Sequence, residues 1–292
     1  MLESELSGLD RRVVRARLKT VLPLLNALYH AAPPKLRKSV FRGVCRLIRP
    51  FSLVARVDGI RYRLDLGEMI DLALLLRKFE PHTMDAFRRL VKPGWTILDI
   101  GANIGAHALP LARLTGPEGR VYAFEPTGYG FRKLVRNASL NDFPQLRPVK
   151  LALSNRNTPA RQVMLQSSWP TLGPPTITPS MVEFQRLDDW AAGEDLRHAH
   201  LLKLDVDGHE YEVLDGGRLL LARFRPALLM ETGLYHFADP CRNPILLLAS
   251  LGYRFFDERT SSEYREAADI ERMLKLAGGE EASTVNLIAR VV

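Results

Sequence analysis

Two carboxylates and a glycine turn in the middle of the chain have the spacing of a ligand-binding corner. Asp99 lies in the short apolar run TILDI at residues 96–100, Gly101-Ala-Asn-Ile-Gly105 follows, and residues 106–114 resume an apolar pattern of helical period. A second short run, GRVYAF, ends at residue 124 with Glu125 just beyond it. Strand, glycine turn and helix form the nucleotide-binding corner of a doubly wound α/β sheet, and an acid ending the next strand can accept two hydrogen bonds from a ribose diol. The glycines are spaced G-x-x-x-G, and neither the dinucleotide pattern G-x-G-x-x-G nor a phosphate-loop G-K-[ST] is present. A pyrophosphate needs closely approached backbone N–H groups. A nucleoside bearing an amino acid needs room beside the turn and carboxylates for its amino and hydroxyl groups. Asp99, Gly101, Gly105 and Glu125 are therefore the first candidates for cofactor contact.

The ordered runs LDIGANIGAHALPLA, GRVYAFEP, FRKLVRNASLN, LLKLDVDGHEYEVLDGG and ALLMET resemble the FkbM family of class I S-adenosylmethionine-dependent methyltransferases, over about residues 54–292. The resemblance implies a Rossmann-like sheet of seven strands with helices on both faces and a reversed last hairpin. It implies S-adenosylmethionine held at the glycine turn, and methyl transfer to a hydroxyl of a sugar, glycolipid or natural product. The family's usual D-V-E-G stands here as Asp205-Val206-Asp207-Gly208, which shortens one carboxylate.

Methyl transfer from a sulfonium is an in-line displacement, so the protein must align the acceptor oxygen and remove its proton. Asp205 and Glu231 at strand ends, and His209 and His236 just beyond those strands, are the base candidates, with Asp205 also placed to face the cofactor. His209 is expected to start a helix, whose positive end favours the neutral imidazole. His236 follows Glu231 by five residues and is expected to be oriented by it. Asn103 either caps the helix after the turn or touches the methionine portion, with capping ahead. Glu80, in FEPHT, either reaches the cofactor's ammonium or is a solvated helix-end charge. His107 reads as packing on the cofactor side. Asn137 and Asn141 are explained as well by backbone hydrogen bonds as by a ligand, and Asp188-Asp189 as the start of a helix. No metal is expected.

The elements that must position these residues follow from periodicity. Asp58-Gly59 between alternating runs predicts a hairpin over 54–66. Helices are expected over 69–79, 83–91, 106–114 and 129–140. A strand is expected over 146–153, added strands over 161–166 and 178–184 around the loop SSWPTLGPPT, and buried strands over 201–206 and 227–232. Residues 253–257 and 284–292 should close the sheet as an antiparallel pair. The loop is either a lid or a surface excursion.

Composition bounds the rest. With 46% apolar and 25% charged residues the chain is globular, and its apolar runs fall short of a membrane span. Residues 11–57 hold twelve of the 41 Lys and Arg and no acid, leaving 29 basic against 33 acidic residues elsewhere. The division expected is a basic amphipathic helical arm at 1–50, a hairpin and helices at 51–95, and the methyltransferase domain at 96–292. The arm either lies on an anionic membrane or packs on the body or on the second subunit of a homodimer. The acidic start MLESELSGLD and two unpaired, widely spaced cysteines point to a cytoplasmic protein, with peripheral contact at the inner membrane face left open. An RNA methyltransferase using the arm is disfavoured by the absence of Asn-Pro-Pro-Tyr and of stacking aromatics in the arm. A non-catalytic binding module would be expected to lose Asp99 or Glu125, and neither is lost.

Overall fold

The computed structural model describes residues 43, 45, 46, 52–277 and 284–291; the arm at 11–50 otherwise lies outside them. From residue 52 the chain forms β1 (Ser52–Val57) and β2 (Ile60–Asp65), paired antiparallel with Val57 opposite Ile60. Asp58 and Gly59 both have positive φ, 47° and 83°, which lets a two-residue turn follow the strand twist. Then come α1 (Met69–Leu75) and α2 (Pro81–Leu90), shorter or shifted relative to expectation because Pro81 starts α2, where its missing N–H costs nothing.

The sheet core follows: β3 (Thr96–Ile100), α3 (Ala108–Thr115), β4 (Arg120–Phe124), α4 (Gly128–Ser139) and β5 (Leu146–Val149). The chain then leaves the sheet to build β6 (Ala152–Ser154), β7 (Thr158–Ser168) and β8 (Thr176–Arg186). It returns through α5 (Leu187–Gly193), β9 (Leu201–Leu204), α6 (Glu210–Asp215), α7 (Arg218–Phe224) and β10 (Ala227–Gly233). Next are α8 (Pro244–Ser250), β11 (Tyr253–Asp257), β12 (Glu263–Tyr264), α9 (Ala267–Ala277) and β13 (Thr284–Val291).

The main sheet runs β12-β11-β13-β10-β9-β3-β4-β5. Its five strands from β10 to β5 are parallel, and β13 is antiparallel to both β10 and β11. The sheet has eight strands where seven were expected, because the two-residue β12 extends the edge. The single strand expected over 146–153 is two: β5 ends at Val149, and β6 belongs to a separate sheet of order β6-β8-β7. No helix among the described residues is long and apolar enough to cross a membrane.

Alternation along the buried strands divides the core. Leu98, Tyr122, Leu202 and Leu228 pack in one apolar layer, and Ile97, Val121, Leu201 and Leu229 in the other. The second layer carries the hairpin and α1 to α3. Asn137 and Asn141 of the N-x-x-x-N pair join hairpin to body: their side-chain oxygens accept from Arg63 N at 2.8 Å and Arg61 N at 2.9 Å. Their amide nitrogens donate to Ile104 O and to Arg61 O and Asn137 O, so both side chains are committed to backbone.

Candidate functional site

The order of the strands reverses between β3 and β9, and a cavity of about 850 Å³ opens there beyond the carboxyl ends of the strands. Asp99, Glu125, Lys203, Asp205 and Glu231 all continue the odd-numbered parity of Ile97, Val121, Leu201 and Leu229. One pleat therefore brings the charged residues of four strands to one face at one edge.

The glycine turn is fixed by its neighbours. Gly101 N and Ala102 N donate to Phe124 O at 3.0 and 2.8 Å, and Asp205 N donates to Ile100 O at 3.1 Å. Gly101 has φ +91°, and a Cβ there would lie 1.8 Å from Asp205 O, so only glycine fits. Gly105 has a packing role: a Cβ would stand 2.9 Å from Leu134 Cδ1, and the residue is not on the cavity wall. Helix α3 starts at Ala108 behind His107, without a side-chain cap, so Asn103 does not cap it. Instead Asn103 lines the cavity with φ +47°, and its N–H donates to Glu125 Oε2 at 3.0 Å.

Glu125 also lines the cavity. Its Oε1 accepts from Thr127 N at 2.8 Å and from the Thr127 hydroxyl, so the carboxylate joins the glycine turn to the start of α4. Burial pushes its pKa up, opposed by these three hydrogen bonds. A carboxylate offers about four acceptor positions. Three are taken, so one remains where the two hydrogen bonds expected from a ribose diol would need two.

Beneath this turn lies a buried charge cluster. Asp99 is fully buried behind the cavity wall, and neither carboxylate oxygen has a hydrogen-bond partner. Burial raises its pKa, with the Lys203 charge opposing. Lys203, its cross-strand neighbour, was not singled out from sequence; its Nζ sits 2.7 Å from Asp205 Oδ2. Burial opposes its charge, but Asp205, Asp99 and Glu80 outweigh that and raise its pKa. A lysine inside the apolar run LLKLD was the available signal, since a buried cation needs acids around it. Glu80 also lines the cavity: burial would raise its pKa, yet His107, Lys203 and Thr83 hold it at about 2. His107 is packed between the Phe79 and Phe87 rings, with Nε2 3.3 Å from Glu80 Oε2.

At the opposite side of the turn Asp205, Asp207 and Glu231 offer carboxylate oxygens all within 4.8 Å of one another. Such a set can share a proton or face a hard cation. Glu231 accepts from the Thr284 hydroxyl at 2.6 Å; burial, then the Asp205 charge, raises its pKa to about 8. The same two causes raise Asp207 to about 6. His209 lines the cavity at the start of α6, with Nε2 3.0 Å from Ser154 Oγ, and burial lowers its pKa.

His236 is elsewhere. It is 5% exposed, off the cavity wall, with Nε2 2.7 Å from Glu210 Oε2 and Nδ1 accepting from Gly233 N at 3.3 Å. Glu231 does not orient it; Glu210 does. Glu210 Oε1 also accepts from Val206 N at 3.0 Å. The pair thereby joins the turn after β9 to the turn after β10.

The loop SSWPTLGPPT forms a docked roof. Trp169 N donates to Glu68 Oε2 at 3.0 Å, Met69 N to Trp169 O and Thr171 N to Gly67 O at 2.7 Å each. Trp169, Met69 and Ile70 all line the cavity.

The family model for the methyltransferase FkbM domain matches residues 99–255. The 2-O-methyltransferase NoeI of Sinorhizobium fredii (strain NBRC 101917 / NGR234) is 28% identical over 215 residues, spanning 63% of this chain and 87% of the relative. Among solved structures, methyltransferase FkbM from Methylobacillus flagellatus KT is 13% identical, with a TM-score of 0.43 over 97% of this chain and 63% of that one. Aeropyrum pernix fibrillarin in complex with natively bound S-adenosyl-L-methionine is 17% identical, with a TM-score of 0.41 over 83% of this chain and 84% of that one.

Proposed function

Since the chain belongs to the methyltransferase FkbM family, an S-adenosylmethionine-dependent enzyme family, we propose that it methylates a hydroxyl oxygen of a sugar, glycolipid or natural product, with Asp205 and Glu231 receiving the hydroxyl proton. When bound, S-adenosylmethionine supplies an electrophilic methyl carbon on a sulfonium. Glu125 takes the ribose hydroxyl, Gly101 and Asn103 form the wall beside it, and Glu80 is the ionised acid for the ammonium. Asp99 acts from behind the wall, as one of the charges around Lys203.

The observation that carries this reading is the position of Glu231. It stands at the end of β10, beside Asp205, in the same cavity as Glu125, with a carboxyl held near pH 8. A base whose pKa lies near the working pH combines a useful ionised fraction with enough strength to take a hydroxyl proton. Lys203 keeps Asp205 fixed through their 2.7 Å contact, so the proton is drawn toward Glu231. Of the candidate histidines His209 is the one on the wall, and a neutral ring there can accept the proton in Glu231's place. NoeI, by its name a 2-O-methyltransferase, supports oxygen as the methylated atom.

The experiment is calorimetry with S-adenosylmethionine followed by incubation with extracts of cells lacking the gene. Binding, formation of S-adenosylhomocysteine and a product heavier by one methylene on oxygen are expected. Absence of S-adenosylmethionine binding, or tight binding of NAD instead, would overturn the reading.

A further inference from the structure

The cavity is electrically divided. Its five carboxylates, Glu80, Glu125, Asp205, Asp207 and Glu231, come from the main-sheet edge and from the start of α2. The wall built by residues 151–169 and Phe184, which belongs to the separate three-stranded sheet, contributes no acid and two arginines, Arg156 and Arg161. Among the described residues neither guanidinium has a carboxylate in ion-pair reach. Arginines nearby behave otherwise: Arg218 pairs with Asp215 at 2.8 Å and Arg186 with Asp188 at 3.7 Å.

The turn that carries Arg156 and the side chain of Arg161 each have fixed neighbours. Arg156 lies between Asn155, which donates to Asp215 at 3.1 Å, and Asn157, which donates to Asp189 at 2.7 Å. The turn is pinned on both flanks while its central cation stays unclaimed. The Arg161 guanidinium carbon lies over the Phe184 ring, 5.6 Å from its centroid, and the centroids of that ring and of His209 are 6.3 Å apart in edge geometry. A cation–π contact of this kind leaves guanidinium N–H donors available for an oxyanion.

We infer that the hydroxyl acceptor carries a carboxylate or phosphate, which seats on Arg156 and Arg161 and turns the hydroxyl toward Asp205 and Glu231. This rests on the methyltransferase reading of the cavity. The cationic cofactor complements the acidic half. An anion on the acceptor is repelled from that half and drawn to the opposite wall, so one charge pattern sorts two ligands and fixes the acceptor's direction of entry. Bidentate N–H contacts to a planar carboxylate or a phosphate add geometry to charge.

The test uses the full chain loaded with S-adenosylhomocysteine, titrated with glucose, glucuronate and glucose 6-phosphate. The anionic probes should bind roughly tenfold or more tightly than glucose at low salt, with the gap closing toward ~0.5 M salt. The two anions tell carboxylate from phosphate. In Arg156→Ala/Arg161→Ala the preference should vanish while S-adenosylhomocysteine affinity stays within about twofold. A wild type that holds S-adenosylhomocysteine but does not favour either anionic probe overturns this inference alone, as does a preference that survives in the double variant. A wild type that fails to bind S-adenosylhomocysteine overturns the cavity reading and this inference with it.

Discussion

The two halves of the cavity are built by different kinds of structure. The cofactor half belongs to β3, β4, β9 and β10, whose residues are almost all buried and whose turns are clamped by backbone hydrogen bonds. The acceptor half belongs to the β6–β8 sheet, a ribbon whose two long strands of eleven residues leave Ile177 and Met181 exposed and set Arg161 on the cavity wall. In the first half a side chain is placed by the packing of a whole domain. In the second it is placed by a few local contacts, such as Phe184 under Arg161. Chemistry common to any acceptor can reside in the rigid half, while recognition of a particular acceptor can change in the ribbon at little cost to the fold.

The strongest test of that division is at its border. Glu231→Gln should lower turnover by ~10² to 10⁴ while leaving S-adenosylmethionine affinity nearly unchanged, the scale of losing a general base. In the wild type kcat/KM should climb as pH rises toward about 8 and level off above it, because the ionised carboxylate is the active form. The variant should lose that limb. Stability has the opposite sign: a carboxyl raised from an unfolded value near ~4.3 stabilises fully below that value and loses its contribution as pH passes about 8. Glu231→Gln should therefore raise the melting temperature most at high pH. A wild-type rate independent of pH between about 6 and 9 would remove Glu231 from proton transfer and shift attention to His209.

The same division decided what could be read from sequence. Asp99, Gly101, Glu125, Asp205 and Glu231 were legible because buried parallel strands appear as short apolar runs, and ligands collect where such runs end. Which of them reaches the cavity was not legible. Asp99 and Gly105 stand behind the wall, because one extra layer of packing separates neighbouring positions of a single turn. Arg156 and Arg161 carried no signal at all. Their meaning depends on β7 and β8 folding back over the sheet edge, and no local pattern announces where an inserted ribbon lands. The partner of His236 was misread for a related reason: Glu210 is 26 residues upstream, while Glu231 was merely near in sequence.

A smaller effect should be confined to the cofactor half. Glu125→Ala removes the acceptor that joins Asn103 N to Thr127 and leaves a ribose hydroxyl unpaired, so S-adenosylmethionine should bind about 1 to 3 kcal/mol more weakly. The KM of the acceptor should not change. Equal losses in both ligands would mean that the two halves are one cooperative unit, and the comparison between them would fail.

The smallest effect on turnover should come from His236, although its cost to stability is large. Its ring is 5% exposed and its acidic partner is Glu210, which is itself fully buried, so His236→Gln leaves a carboxylate without its partner in the interior. Removing one member of a buried pair costs about 3 kcal/mol, which for a chain of this size lowers the melting temperature by roughly 5 to 10 °C. The turns after β9 and β10 would then lose one of their links, and Asp205 and Glu231 some of their mutual alignment. That predicts a turnover within about tenfold of wild type when measured well below the new melting temperature, with the pH limb near 8 still present. The opposite pattern, an unchanged melting temperature with turnover lower by ~10² or more and the limb abolished, would make the imidazole a proton carrier in spite of its distance from the cavity wall. Glu210→Gln separates the two outcomes again: a structural pair predicts a loss of stability from either side, smaller for Glu210→Gln because no unpaired buried carboxylate is left behind, whereas a proton carrier predicts that only the histidine substitution stops the reaction.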